Sequence, residues 1–156
     1  VSAQIKKIAD EFNADILITT SRRTPAEIES ILKEEFKDFA RCKLLVIANE
    51  QNIPEAVGGI LGLADFVLVS GESISMISEA ASSGKYVGVF TLNAKALFPR
   101  KTRHEVFLEN LANQGYIYIV ATDTIAYKIK ELFTNKPLIK KLDDRASVAR
   151  ALRKLL

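Results

Sequence analysis

Short, β-branched apolar runs alternate along this chain with longer stretches in which apolar residues recur every three or four positions. The runs predict strands at Asp15 to Thr20, Lys43 to Ala48, Phe66 to Val69, Tyr86 to Phe90 and Tyr116 to Val120. The spaced stretches predict helices at Pro25 to Phe36, Pro54 to Leu63, Ser73 to Ser83, Arg103 to Asn113 and Thr124 to Phe133. A last helix, Arg145 to Leu156, is expected either to close the domain or to reach a partner. Strands that alternate with helices predict an α/β fold: a doubly wound, mostly parallel, Rossmann-like sheet in a three-layer α/β/α arrangement. The least regular segments are Asn49 to Ile53, Leu92 to Lys101 and Asn135 to Leu142.

The most informative junction is ADFVLVSGESISMISEAA, Ala64 to Ala81. Phe66 to Val69 suits a strand covered on both faces, and Ser70 and Gly71 end it. From Ser73 onward Ile74, Ile77 and Ala81 fall on one helical face, with Ser75, Ser78, Glu79 and Ser82 on the other. Gly84 supplies a stop. The first-turn amides of such a helix lack partners and carry partial positive charge, so Ser70, Gly71, Ser73, Ile74 and Ser75 form a candidate phosphate turn. The same residues equally suit an ordinary helix cap. Glu79, one turn further on, cannot serve the anion, and spacing alone makes it a surface carboxylate.

The junction after the first strand follows the same logic. Ser21, Arg22 and Arg23 precede Thr24-Pro25-Ala26-Glu27, which reads as a capping box with Pro25 at the first helical position. The loop lies at the carboxyl end of a strand, where open parallel sheets bind ligands, and guanidinium forks match phosphate oxygens. A solvated turn is the plain alternative.

Composition narrows the class. With 156 residues and 48% hydrophobic content, one core is expected, so 1–156 reads as a single domain. A formal charge of +3 is too small to argue for nucleic acid. One Cys, Cys42, and one His, His104, exclude an internal disulfide and most zinc sites; Cys42 is expected to pack beside the second strand, and no role is assigned to His104. A reducing, cytoplasmic setting follows. No apolar run is long enough for a bilayer, which leaves only peripheral membrane contact open. The sole Met is Met76, so a processed or shortened chain that lacks a neighbouring domain is expected. G-x-G-x-x-G, P-loop, G-x-S-x-G, H-E-x-x-H and Asp-x-Asp patterns are absent, so no metal site is expected.

The segment from Gly59 to Phe90 resembles the carboxy-terminal, nucleotide-sugar-binding domain of GT-B-fold glycosyltransferases. Within that group the runs TTSRRTP, Thr19 to Pro25, and SISMISEA, Ser73 to Ala80, together with the strand order, are similar to the mitochondrial-fission family named for elongated mitochondria and to its bacterial homologues. The resemblance implies a nucleoside diphosphate sugar as ligand, with no further cofactor. It implies that Ser21, Arg22 and Arg23 face the donor diphosphate, that Ser70 to Ser75 offer amides to the distal phosphate, that Glu79 takes the ribose hydroxyls, and that the loop from Asn49 to Ile53 meets the base. Thr-Ser-Arg-Arg replaces the glycine-rich turn of cell-wall relatives, which moves phosphate contact from backbone to guanidinium. Arg100, Lys101 and Arg103 retain the charge of a basic run in the family. An amino-terminal domain that binds the acceptor is implied outside this chain. Two other functions share the fold: a non-catalytic recruitment scaffold, and a sugar-nucleotide epimerase, which would normally bring further acidic and histidine groups.

Overall fold

The computed structural model describes residues 1–51, 53–91, 102–143 and 153. Helices and parallel strands alternate in the order α1 (Ser2–Phe12), β1 (Ile16–Thr19), α2 (Ala26–Phe36), β2 (Cys42–Val46), α3 (Ala56–Leu63), β3 (Phe66–Ser70), α4 (Ile74–Ala81), β4 (Tyr86–Phe90), α5 (Arg103–Asn113), β5 (Tyr118–Val120) and α6 (Ile125–Asn135). This alternation and the open parallel sheets are those of a Rossmann-like α/β fold. All five predicted strands and the five described helices predicted from spacing form, with boundaries shifted by a residue or two. Of the expected last helix only Arg153 lies within the described residues, and the segment 92–101 lies outside them.

The chain is shared between two compact units. The first holds residues 1–64 and 122–135. Its two strands run parallel, with Ile16 opposite Cys42 and, after a one-residue irregularity, Leu17 opposite Leu44 through Thr19 opposite Val46. The helix α1 was not among those predicted, although Ile5, Ile8, Ala9 and Phe12 carry the i, i+3, i+4, i+7 pattern. It packs against α6: Gln4 donates to the Thr122 carbonyl at 2.7 Å and accepts from the Ala126 amide at 3.0 Å, while Phe12 and Phe133 stack at 5.3 Å between centroids. An ion pair between Lys130 and Glu11 joins the same two helices. Ile8, Ala9, Phe36, Val46, Ile125, Ile129 and Leu132 form the buried interior of this unit.

The second unit takes its described residues from 65–91, 102–121 and 136–143. Its sheet has the order β3-β4-β5, all parallel, with Phe66 opposite Tyr86 and Gly88 opposite Tyr118. As the middle strand, β4 is covered on both faces, and Val87 and Val89 are fully buried. Helix α4 lies against β3 and β4 and seats Ile77, Ala80 and Ala81 in the core. It ends at Ala81, two residues before the predicted Ser83, with Ser82 as its C-cap; beyond it Gly84 takes φ +75, a left-handed value that a side chain would resist. The irregular segment after α6 is pinned to this unit by hydrogen bonds from Tyr86 Oη to the Pro137 carbonyl (2.9 Å) and from the Leu142 amide to the Ala81 carbonyl (2.9 Å).

Candidate functional site

The turn after β3 is built around Gly71. Its N–H donates to the Phe90 carbonyl at 2.7 Å, which draws the turn onto the end of β4. A Cβ at this position would stand 2.8 Å from Thr91 Cγ2 and 3.2 Å from the Phe90 oxygen, so a side chain there would force Thr91 and the end of β4 to shift. On its other side the Gly71 carbonyl accepts a hydrogen bond from His104 Nε2, on the first turn of α5. His104, to which the sequence assigned nothing, is thus part of this turn. The signal is long-range, across 33 positions, and local spacing does not carry it.

Ser73 caps α4. Its backbone is extended (φ −114, ψ 100), and its Oγ accepts from the Met76 amide at 3.5 Å and lies 3.2 Å from Ser75 Oγ. The amides of Glu72, Ser73, Ile74 and Ser75 find no acceptor among the described residues. They form a short row of free donors at the carboxyl end of β3 and the positive end of a helix dipole. Ile74, expected on the apolar face, is instead 46% exposed. It is the first helical residue of α4. Glu79 is exposed on the outer face of α4, with no ion pair among the described residues.

Ser21, Arg22, Arg23, Asn49 and Ile53 belong to the first unit. Ser21 and Thr24 close a tight turn: the Thr24 amide donates to the Ser21 carbonyl (2.9 Å), the Ser21 amide to Thr24 Oγ1 (3.0 Å) and the Arg23 amide to Ser21 Oγ (3.2 Å). The predicted capping box at Thr24 and Glu27 therefore does not form. Thr24 Oγ1 is spent on the turn, and α2 starts from Pro25, in extended geometry, without a side-chain cap. A capping box appears instead at Thr102 and Glu105 of α5. Arg22 and Arg23 are exposed, and neither guanidinium has a partner among the described residues.

Behind this turn lies a polar cluster that sequence reasoning missed. Glu29, on the first turn of α2, is only 6% exposed. Its carboxylate accepts from Asn49 Nδ2 at 2.8 Å and from Thr20 Oγ1 at 3.3 Å, while Thr20 Oγ1 accepts from the Ala48 amide at 2.9 Å. Asn49, expected to face a base, thus spends its side-chain amide on Glu29, with a longer contact to the Thr24 carbonyl at 3.5 Å. Ile53 is exposed, and Asn52 lies outside the described residues. The cluster ties the ends of β1 and β2 to α2 and so sets where both loops leave the sheet.

Two other features complete the chemistry. Cys42 is half-buried at the start of β2; burial pushes its thiol up, against a weaker opposing effect from a backbone hydrogen bond with Leu44, so it stays protonated where a free thiol would begin to ionise. A shallow hollow of about 420 Å³ in the first unit is lined by Lys33, Leu45, Ile47, Glu50 and Gln51, the last two of which belong to the loop expected to meet the base. Among the described residues no three His, Cys, Asp or Glu side chains gather as a metal-holding set, and no helix is long and apolar enough to cross a membrane.

Parallel open sheets whose strands alternate with helices place this molecule among the Rossmann-like α/β proteins. Its sequence goes further: the chain belongs to the Mitochondrial fission ELM1 family, whose sequence profile matches residues 1–156. It is also 31% identical over 114 residues to an uncharacterized protein, RP120, of Rickettsia prowazekii (strain Madrid E). That match covers 72% of this chain and 30% of the Rickettsia protein, so the chain spans well under half the length of that relative. No solved structure matches it.

Proposed function

We propose that this chain is the nucleoside-diphosphate-sugar-binding half of a GT-B-type glycosyltransferase-like protein. One observation carries the reading: the row of amides from Glu72 to Ser75 that have no acceptor among the described residues, set at the carboxyl end of a parallel strand and the amino end of α4. Such a row neutralises a phosphate without a metal and favours a departing diphosphate as its charge grows. Glu79 follows one turn along the same helix, exposed and free to accept from ribose hydroxyls. In the first unit, taken by itself, the guanidiniums of Arg22 and Arg23, which have no partner among the described residues, suit a phosphate, and the loop around Asn49 and Ile53 suits a base. An acceptor-binding domain outside this chain completes the transfer, so the chain alone binds without turnover.

Calorimetric titration of UDP, GDP and ADP and their sugars into the chain tests this. Binding of at least one at millimolar concentration or tighter is expected, and Glu79→Ala should weaken it roughly tenfold through loss of a charged hydrogen-bond acceptor. Absence of binding by all of them overturns the reading.

A second reading, a recruitment scaffold, is favoured by α3. Its sequence, AVGGILGL, is wholly apolar, yet none of its residues is buried, and Leu63 is 77% exposed. A Cβ added at Gly58, Gly59 or Gly62 would meet nothing within 4 Å. An apolar helix that the described residues leave exposed is suited to be a surface for another protein. A chain that binds no nucleotide but loses a partner on Leu63→Asp would support that role.

A further inference from the structure

From the contact between α5 and the turn after β3, we infer that His104 is the positioning residue of the phosphate turn: it holds the Gly71 carbonyl and thereby aims the free amides that follow. The inference rests on the nucleotide-binding reading for its ligand, but its geometry stands alone.

A carbonyl oxygen only accepts, so His104 Nε2 must carry the hydrogen that faces Gly71. That defines the tautomer and leaves Nδ1 as the acceptor nitrogen when the ring is neutral. The peptide between Gly71 and Glu72 is planar and trans, so its C=O and N–H point in opposite directions. Holding the carbonyl toward α5 therefore turns the Glu72 N–H away from α5, where it heads the row that continues through Ser73, Ile74 and Ser75. The preceding peptide is held separately by the Gly71 amide on the Phe90 carbonyl. The turn is thus gripped at both of its peptide planes. Gly71 cannot relieve a change by moving inward, because Thr91 Cγ2 and the Phe90 oxygen already crowd the place of a Cβ.

The anchor for His104 is itself well made. Thr102 and Glu105 form a reciprocal capping box, with the Glu105 amide on Thr102 Oγ1 at 3.2 Å and the Thr102 amide on the Glu105 carboxylate at 2.6 Å. The box fixes the first turn of α5, and with it the histidine that the turn carries. A ligand that draws on the Glu72 to Ser75 amides then meets donors already oriented, and none of its binding free energy is spent on ordering them.

His104 is the only histidine in the chain, so its ring nitrogens can be followed by NMR without assignment ambiguity. At a pH where the ring is neutral, the nitrogen shifts should report the Nε2–H tautomer; the Nδ1–H tautomer, or an even mixture, overturns the inference. His104→Ala should shift the Gly71 to Ser75 amide resonances and weaken the nucleoside diphosphate by about tenfold, the scale of one lost hydrogen bond with its orienting effect. His104→Gln, whose side-chain amide can donate to the same carbonyl, should recover most of both. Equal resonances and equal affinity in the alanine variant overturn the inference. A wild-type chain that binds no nucleotide overturns the functional reading instead, and the tautomer and turn resonances then decide the role of His104. If His104→Ala does not fold, the tautomer and the glutamine variant decide it.

Discussion

Glu29 is a buried carboxylate met by neutral donors only: among the described residues its partners are the Asn49 amide and the Thr20 hydroxyl. Removing it takes the acceptor from the Thr20 hydroxyl and leaves Asn49 Nδ2 only its longer contact with the Thr24 carbonyl. Glu29→Ala is therefore expected to cost about 2 kcal/mol, read as a lower midpoint in urea unfolding. Glu29→Gln, which keeps an acceptor oxygen, should cost less, and equal midpoints for wild type and Glu29→Ala would remove the structural role. None of this is legible in the sequence around it. There, Glu29 looks like a solvated first-turn acid beside an apolar stripe at Ile28 and Ile31. In the structure those two isoleucines are exposed, while Glu29 and Phe36 turn inward. The pairing of β1 with β2 decides which face of α2 is covered, and that pairing joins distant parts of the chain. Ser73 is the opposite case. Its role as the N-cap of α4 follows from residue type and position alone, because capping is a local interaction.

At the level of elements, the strands were the most readable part, since a short β-branched run between turn residues has few other uses. Helix ends were less so. The S/T-x-x-E pattern occurs at Thr24 and again at Thr102, but only the second closes into a capping box. At the first, the hydroxyl goes to the Ser21 amide, since a tight turn one residue earlier offers a nearer donor. Thr102→Ala is accordingly expected to lower stability by about 1 kcal/mol and to raise amide exchange in the first turn of α5. Thr24→Ala should instead loosen the Ser21 amide and leave exchange in α2 unchanged. Faster exchange throughout α2 in that variant would mean that Thr24 caps the helix after all. The amino-terminal helix was missed for a different reason. Its apolar spacing is regular, but what makes it a firm element is α6, more than a hundred residues downstream.

Neither compact unit of the whole molecule is a continuous stretch of chain. The first is completed by residues 122–135, and the second takes residues 136–143 after the chain has left it once. A chain ended after Ala121 would lose α6, and with it the cover for Ile8, Ala9 and Phe12. It is expected to show no slow-exchanging amides in α1 and to unfold over a broad range of urea. A sharp transition with α1 still protected would show that the first unit stands without its returning helix. Binding studies should therefore keep residues 122–143 even though no candidate ligand residue lies among them.

The return of α6 onto α1 also has a consequence for the chain as it is made. Synthesis proceeds from the amino end, so α1 leaves the ribosome while its partner has yet to be translated. At about 5–20 residues per second, α6 follows roughly ten seconds later. Throughout that interval the apolar side of α1 lacks the α6 contacts that it makes in the folded unit, so the nascent chain passes through a stage at which this helix is available to chaperones.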